Sequence, residues 1–284
     1  MSEVRQRWRL VFARDEEARY LSHLDAVRLW ERAFRRGDIP VATSEGFSPR
    51  SRLVFAAPLQ LGMLAEHELA DLFLAERLTA RDLRDRLAAG MPRGYRVVDL
   101  YDVWAGAPAL APQLAAADYR LTLLNVERAA LESAVERLLA ADRLPRARHK
   151  EARTIPYDLR PLLLELRARD PDPTALTPDD AASDAAGLWM RLRHSQEGGS
   201  GRAEEVVAAL ADDMGLAANV AAAGGDDAGE AESAGPREPD EPRAATGPHE
   251  SSGPSQPDTG RPTLEVVRPV RERLWLADEL PATA

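Results

Sequence analysis

The chain has 284 residues, a formal net charge of −10 and 44% hydrophobic residues, enough for one large or two small domains with a real core. Its acidity argues against a nucleic-acid footprint over the whole surface, while leaving room for a local basic patch. It has no cysteine, which excludes disulfides, thiolate zinc sites, a cysteine-held iron–sulfur cluster and a cysteine nucleophile.

Trp8-Arg9-Leu10-Val11-Phe12 alternates polar and apolar side chains, the period of a half-buried strand. An acidic turn at Asp15, Glu16 and Glu17 follows. Ser22 stands where an N-cap belongs, with Asp25 three positions on as in a capping box, so a helix is expected to about Arg36. Leu24, Val27, Trp30, Ala33 and Phe34 share one side at helical spacing, and Arg28, Arg32, Arg35 and Arg36 occupy the other. Gly37 ends this helix and Pro40 blocks its continuation. Residues 53–56 and 69–74 read as strands. Thr79 caps a second helix ending near Gly90, with Leu83 and Leu87 inward, and residues 95–103 form the next strand.

The order then repeats. Residues 118–124 alternate as a strand, and Asn125 is the expected cap of a helix over 126–141 that buries Leu131, Val135, Leu138 and Leu139. The basic run Arg146-Ala147-Arg148-His149-Lys150 and the run from Thr154 to Leu166 read as extended, with Pro156 and Pro161 at edge or bulge positions. Residues 170–186 form a polar turn region, 188–193 a strand, 198–201 a flexible turn and 202–213 a short helix. From 217 to 261 the residues are mostly Ala, Gly, Pro, Ser, Asp and Glu, a composition that cannot bury a core and predicts disorder. Between Gly224 and Arg261 nine acids face three arginines, a net of −6. Leu264-Glu265-Val266-Val267 and Leu274-Trp275-Leu276 then regain strand character.

Strand, helix, strand, strand, helix, strand, read twice, predicts an α+β fold of tandem ferredoxin-like (βαββαβ) units with antiparallel sheets. The units span 1–108 and 115–214. A disordered acidic segment covers 217–261, and a terminal strand within 262–278 docks on the second unit. No window reaches the roughly 18 apolar residues of a membrane span. Met1-Ser2-Glu3-Val4-Arg5 has no apolar run behind it, so a cytoplasmic protein without a signal peptide is expected.

Polar, aromatic and turn-forming residues crowd between Arg19 and Arg52 more than packing requires. His23 and Asp25 sit at the helix start. Capping accounts for Ser22 and Asp25 but not for His23, which could donate a hydrogen bond or act as a general acid or base. Arg28, Arg32 and Arg35 recur at i, i+4 and i+7 beside Arg36, a stripe suited to phosphate or carboxylate, or simply to solvent. In the loop after Pro40, Glu45, Arg50 and Arg52 form either an ion-pair network or a site, with Ser44, Gly46, which permits a positive φ, and Phe47 as further binding candidates beside them. Phe47 either plugs the core or stacks on a ligand. A second polar cluster holds Lys150 (the sole lysine), Arg153, Tyr157, Asp158 and Arg160, which as a basic strand edge would also discourage aggregation. The chain has five histidines and no pair at helical metal-ligand spacing, so neither a metal nor a cofactor is expected in it.

Arg19-Tyr20-Leu21-Ser22-His23-Leu24-Asp25, the helix containing Glu31-Arg32-Ala33-Phe34-Arg35-Arg36, and Ile39-Pro40-Val41-Ala42-Thr43-Ser44-Glu45-Gly46-Phe47-Ser48-Pro49 together resemble the radical-SAM-linked protein family, a bacterial domain of unknown function. The resemblance covers residues 8–75 closely and 118–213 more loosely. It implies a genetic neighbour or fusion partner that is a radical SAM protein and, in some genomes, a nearby ribonuclease of the E/G type. The family loop continues Gly-Phe-Asn-Pro-His-Pro-Lys or -Arg, whereas Arg50 stands here in place of the second histidine. A His pair is therefore unavailable, and the retained positive charge favours anion contact over proton transfer.

Three functions follow as expectations. The first is a non-catalytic accessory or substrate-presenting protein for a radical SAM enzyme. Such an enzyme needs three thiolates that this chain lacks, and its substrate could be RNA. The second is an RNA-binding or RNA-processing module using the basic helix and the glycine-containing loop, by fold-level analogy with CRISPR-associated RNA endonucleases. The third is an independent hydrolase using His23, Asp25 and Glu45, although no G-x-S-x-G nucleophile motif is present.

Overall fold

The computed structural model describes residues 4–44, 49–150, 153–182, 184–195, 198–219 and 262–281. The first half runs β1 (Gln6–Arg14), α1 (His23–Arg36), β2 (Leu53–Phe55), β3 (Leu64–Leu74), α2 (Ala80–Gly90) and β4 (Tyr95–Val103). The second runs β5 (Leu114–Leu124), α3 (Arg128–Ala140), β6 (Pro145–Lys150), β7 (Arg153–Asp158), β8 (Leu163–Arg169), β9 (Ala185–Ser195), β10 (Gly199–Ser200), α4 (Ala203–Met214), β11 (Ala217–Asn219) and β12 (Thr263–Leu276).

Both halves enter one ten-stranded sheet. In the first half the order is β4-β1-β3-β2, and in the second β12-β5-β9-β8, every pair in these two orders being antiparallel. The halves join where β12 lies parallel to β3, with Val270 opposite Leu64 and Arg271 opposite Ala65. The C-terminal strand is therefore a central strand of the whole sheet. β6 and β7 form a separate two-stranded hairpin.

Strand alternation decides what each face of the sheet carries. In β1, Trp8, Leu10 and Phe12 pack with Trp30 and Phe34 of α1 and Leu83 and Leu87 of α2. In the second half, Leu121, Leu123, Leu188 and Met190 pack with Leu131, Val135 and Leu138 of α3 and Val206, Val207 and Leu210 of α4. Burying a side chain of this size contributes about 1.5–3 kcal/mol, so these two clusters account for most of the drive to fold. α1 and α2 cross closely because two glycines meet there. A Cβ on Gly37 would strike the Arg86 carbonyl, and one on Gly90 the Ala33 carbonyl.

Four local expectations need correction. Leu24 faces solvent at 61% exposure, and Ala26 takes its place on the buried side of α1. Asn125 does not cap α3, whose N-cap is Glu127. Instead Asn125 adopts a left-handed φ of 63° and donates to the Thr263 carbonyl at 3.0 Å, a turn for which asparagine is well suited. Gly199–Ser200 pairs with β9 as a short strand. Ala217–Asn219, assigned from composition to the disordered segment, runs parallel to β12, since three residues suffice to pair with a strand already in place. The rest of that acidic segment, 220–261, lies outside the described residues.

Candidate binding surface

The helix start singled out by sequence is a cap. Asp25 N–H donates to Ser22 Oγ at 3.2 Å, and Ser22 Oγ–H donates to Asp25 Oδ2 at 2.7 Å. Asp25 also sits 3.8 Å from Arg28, so helix capping and a helical ion pair engage its carboxylate. His23 is exposed, with its ring edge-on to Phe55 at a centroid distance of 5.5 Å. Partial loss of solvation at the ring lowers its pKa from the ordinary histidine value.

Arg28, Arg32 and Arg35 are exposed on α1. Arg36, exposed like them, donates to the Gly90 carbonyl at 2.8 Å, tying α1 to α2. Ser44 and Arg50 face each other across the base of the loop, through Ser44 N–H to Arg50 O at 2.9 Å and Arg50 N–H to Ser44 Oγ at 3.0 Å. Arg52 lies 4.4 Å over the Phe73 ring. Glu45, Gly46 and Phe47 lie outside the described residues.

The second cluster closes a loop. Asp158 accepts from Leu144 N–H at 2.8 Å and Arg160 N–H at 3.1 Å. These bonds, the Leu144 amide first, hold its carboxyl below the usual carboxylate range. Arg160 donates to the carbonyls of Leu163 and Leu139. Lys150 and Arg153 pair at the end of the β6–β7 hairpin, and their side chains lie outside the described residues. His23 packs in the first half and Arg160 in the second, and no contact among the described residues brings the two clusters together.

The helix-free face of the sheet carries what the sequence reading passed over. In the first half it is closed. Arg7, Arg9 and Asp71 are buried there, with Asp71 accepting from both arginines. Arg7 reaches past them to the carbonyls of Ala107 at 2.6 Å and Pro108 at 2.8 Å, so the segment joining β4 to β5 lies over this face.

In the second half, among the described residues, the same face is covered at one end, where the Asp172 amide donates to buried Thr122, and is open over the rest. Across β8, β9 and β5, Arg167, Trp189 and Arg120 stand in one row. Glu165, Arg191, Asp118 and Arg273 form the next across all four strands. Arg193 and Trp275 flank Ala116 in a third. Arg191 is gripped by Asp118 at 2.7 and 2.9 Å and by Glu165 at 3.0 Å. Asp118 raises the pKa of this guanidinium and keeps it charged. Arg191 lies between the two indoles, 5.4 Å from the Trp189 centroid and 4.8 Å from that of Trp275. Both indole N–H groups are satisfied, Trp189 by Glu272 at 2.9 Å and Trp275 by Asp118 at 2.8 Å, so the rings are fixed. Arg167 and Arg169 lie 5.5 Å from Trp189, and Arg273 lies 4.1 Å from Trp275. Arg167, Arg169, Arg193 and Arg273 are exposed. The signal was present in the sequence, where Trp189, Arg191 and Arg193 alternate with buried Leu188, Met190 and Leu192.

A polar cleft of about 340 Å³ sits at the seam, lined by Arg14, Glu16, Glu66, Arg120, Asp172 and Arg268 among others. Several of its charges are paired within it. Arg120 holds Glu66 at 2.6 Å, Asp172 at 2.5 Å and Glu272 at 2.7 Å. The Thr174 hydroxyl foremost, with the Thr174 amide and Arg120, keeps the Asp172 carboxyl below its ordinary pKa. Among the described residues no group of three or more His, Asp or Glu could hold a metal ion, and no helix is long and apolar enough to cross a membrane.

These observations define a mixed α/β protein with one large sheet, four helices among the described residues, and an exposed arginine–tryptophan face. The chain belongs to a family of uncharacterized proteins conserved in bacteria, DUF2344, whose model matches residues 7–196. That span ends just after β9 and leaves β12, with Arg273 and Trp275, outside it. No curated protein matches. Among solved structures, the chain is similar to an unknown protein from Galdieria sulphuraria at 14% identity. That match covers 74% of this chain and 92% of the other, with a TM-score of 0.22.

Proposed function

We propose that this protein is a non-catalytic accessory that presents a macromolecular substrate to a radical SAM enzyme. The observation that carries the reading is the open face of the second half, where Trp189, Trp275 and Arg191 are held rigidly while Arg169 and Arg273 project to solvent. A broad surface of oriented aromatic and cationic groups suits a large partner better than a small metabolite, which calls for a concave, mostly apolar pocket. The radical SAM partner comes from the resemblance of residues 19–25 and 39–49 to radical-SAM-linked proteins, and that partner would supply the thiolate-held cluster. A cytoplasmic site of action belongs to the same proposal. So does the ferredoxin-like identity of both halves, which the antiparallel orders β4-β1-β3-β2 and β12-β5-β9-β8 support.

Anaerobic co-expression with the neighbouring radical SAM protein tests this reading. Tagged wild-type chain should retain the partner and raise its turnover. The R169E/R273E variant should retain the partner but fail to raise turnover. Failure of the wild-type chain to retain the enzyme, or full support by the variant, would overturn it.

A second reading, an RNA-binding or RNA-processing module acting through α1, is favoured by exposed Arg28, Arg32 and Arg35 on one helix. Replacing those three by Ala should then weaken RNA binding and its salt dependence together. Unchanged affinity would exclude the α1 version.

A further inference from the structure

We propose that the substrate held on the open face is single-stranded RNA. Its bases stack on the Trp189–Arg191–Trp275 stripe and its phosphates meet Arg169 and Arg273. The proposal rests on the substrate-presenting reading for the choice of surface and adds the chemical class of the ligand.

The stripe is a layered platform, with the guanidiniums of Arg167, Arg169 and Arg191 over the half-buried Trp189 ring and those of Arg191 and Arg273 over the half-buried Trp275 ring. Each indole spends its N–H on a carboxylate of the sheet, Trp189 on Glu272 and Trp275 on Asp118. Arg191 sits within 5.4 Å of one centroid and 4.8 Å of the other, so the two rings lie no more than about 10 Å apart. Unpaired bases stack on such aromatic and guanidinium planes with little regard to sequence. Little ordering entropy remains to be lost, because hydrogen bonds and cation–π contacts already hold the platform.

Charge complementarity names the rest of the ligand. Arg169 is exposed and makes no hydrogen bond or ion pair among the described residues, only its approach to Trp189. Among the described residues Arg273 has a single long ion pair, 3.8 Å to Glu279. Both guanidiniums therefore keep donors for a phosphate, one at each end of the stripe. The interleaved carboxylates of Glu165, Asp118 and Glu272 would repel the continuous phosphate ladder of a duplex. Asp118 is buried and held by Arg191 and Trp275, but the partly exposed Glu165 and Glu272 can accept further hydrogen bonds from base amino groups and from the ribose 2′-hydroxyl, which is the group that separates RNA from DNA. The first half offers no equivalent, since Arg7 and Arg9 are buried beneath the segment holding Ala107 and Pro108. The site is thus confined to the second half and fits a short stretch of strand.

The test is titration of the full chain with a short single-stranded RNA oligonucleotide, read by tryptophan fluorescence and by anisotropy of an end label. Matched single-stranded DNA, duplex RNA and an acidic polypeptide serve as comparison probes. Wild-type chain should bind the single-stranded RNA best. With two phosphate contacts, affinity should fall about 7-fold between about 50 and 200 mM salt. R169E and R273E should each weaken binding and flatten the salt slope, while W189F should retain most of the affinity that W189L loses, roughly 5- to 150-fold. Because the Arg169 side chain makes no hydrogen bond among the described residues, R169E keeps the test valid should W189L fail to fold. Equal or tighter binding of duplex, DNA or acidic polypeptide would overturn the RNA assignment, as would absence of binding or binding unchanged in R169E/R273E. If RNA is not bound and the radical SAM partner still depends on Arg169 and Arg273, the presenting role stands and only the ligand class fails.

Discussion

Arg271 of β12 and Glu68 of β3, 203 positions apart, form a two-point ion pair, Nε to Oε1 at 2.6 Å and Nη2 to Oε2 at 2.5 Å. Their side chains are 4% and 2% exposed. Burial works against the charge on Arg271, and Glu68 more than offsets it, raising the pKa. The same guanidinium donates to the Pro58 carbonyl at 3.2 Å. Arg14, also buried, donates to the carbonyls of Met63 and Gln60 at 2.6 Å each. Two arginines thus hold the 58–63 loop where the C-terminal strand joins the first half of the sheet.

Glu68→Ala should therefore destabilise the whole chain, because it strands a buried cation beside β3. The expected loss is about 3–5 kcal/mol, the range for breaking one side of a buried pair. Replacing both partners, Glu68→Leu with Arg271→Met, should recover much of it. Urea unfolding followed by tryptophan fluorescence and circular dichroism measures this, and a loss below about 1 kcal/mol for the single variant would refute it.

His194 of β9 lies near the same pair, and its pKa is pushed down to about 4, by burial first and by the charge of Arg271 second. In the unfolded chain a histidine protonates near 6.5. On acidification the unfolded state takes up this proton first, while the folded state stays neutral until about pH 4. Stability from this group is therefore complete above about pH 7, falls through the interval, and is gone below about 4. The size is about 3 kcal/mol. Urea midpoints at pH 7 and pH 4.5 should fall further in wild type than in His194→Gln, and parallel falls would dismiss the effect.

Much of this fold was legible as local pattern. Ser22 with Asp25 and Thr79 with Asp82 are true caps, because a cap is a contact between residues three apart. The apolar side of α1 was legible except at its first turn, where Leu24 is exposed and Ala26 is buried. What sequence could not supply is long-range pairing. No local rule places Arg271 against Glu68, or Arg7 against Ala107. The candidate site suffered most from this. His23, Asp25 and the arginine stripe drew attention because they are contiguous, whereas Trp189 and Trp275 share a face only through β5 between them. Their alternation marked a face, and only the strand order could say which residues share it.

Gly90 provides a packing test of the α1–α2 crossing. An added Cβ would overlap the Ala33 carbonyl, which is backbone and cannot swing away. Alanine normally favours a helix over glycine by about 1 kcal/mol, so an exposed site would gain. Here Gly90→Ala should lose about 1–3 kcal/mol as the helices are pushed apart. Thermal unfolding decides the sign, and a stabilised variant would mean that the two helices do not approach as described.

Arg7 makes the last test, because its donors answer two different needs. Nε and Nη2 reach Asp71 at 3.0 and 2.5 Å, while Nη1 and Nη2 hold the carbonyls of Ala107 and Pro108. Asp71 keeps a second partner in Arg9 at 2.9 Å. Arg7→Ala therefore leaves the buried carboxylate paired but removes both bonds to the covering segment. Bonds from a charged donor contribute about 1.5–3 kcal/mol each, and part of that will fall on local opening. Amide exchange at Ala107 and Gln113, whose N–H groups bond within the segment, should quicken roughly 10- to 100-fold. Amides of β5 and β9 should quicken far less. Arg7→Lys, a point charge without the planar fork, should fall between. Uniform acceleration across the sheet would mean that Arg7 supports the fold as a whole. Acceleration confined to 104–113 would identify it as the clasp that keeps the first half of the face closed while the second stays open.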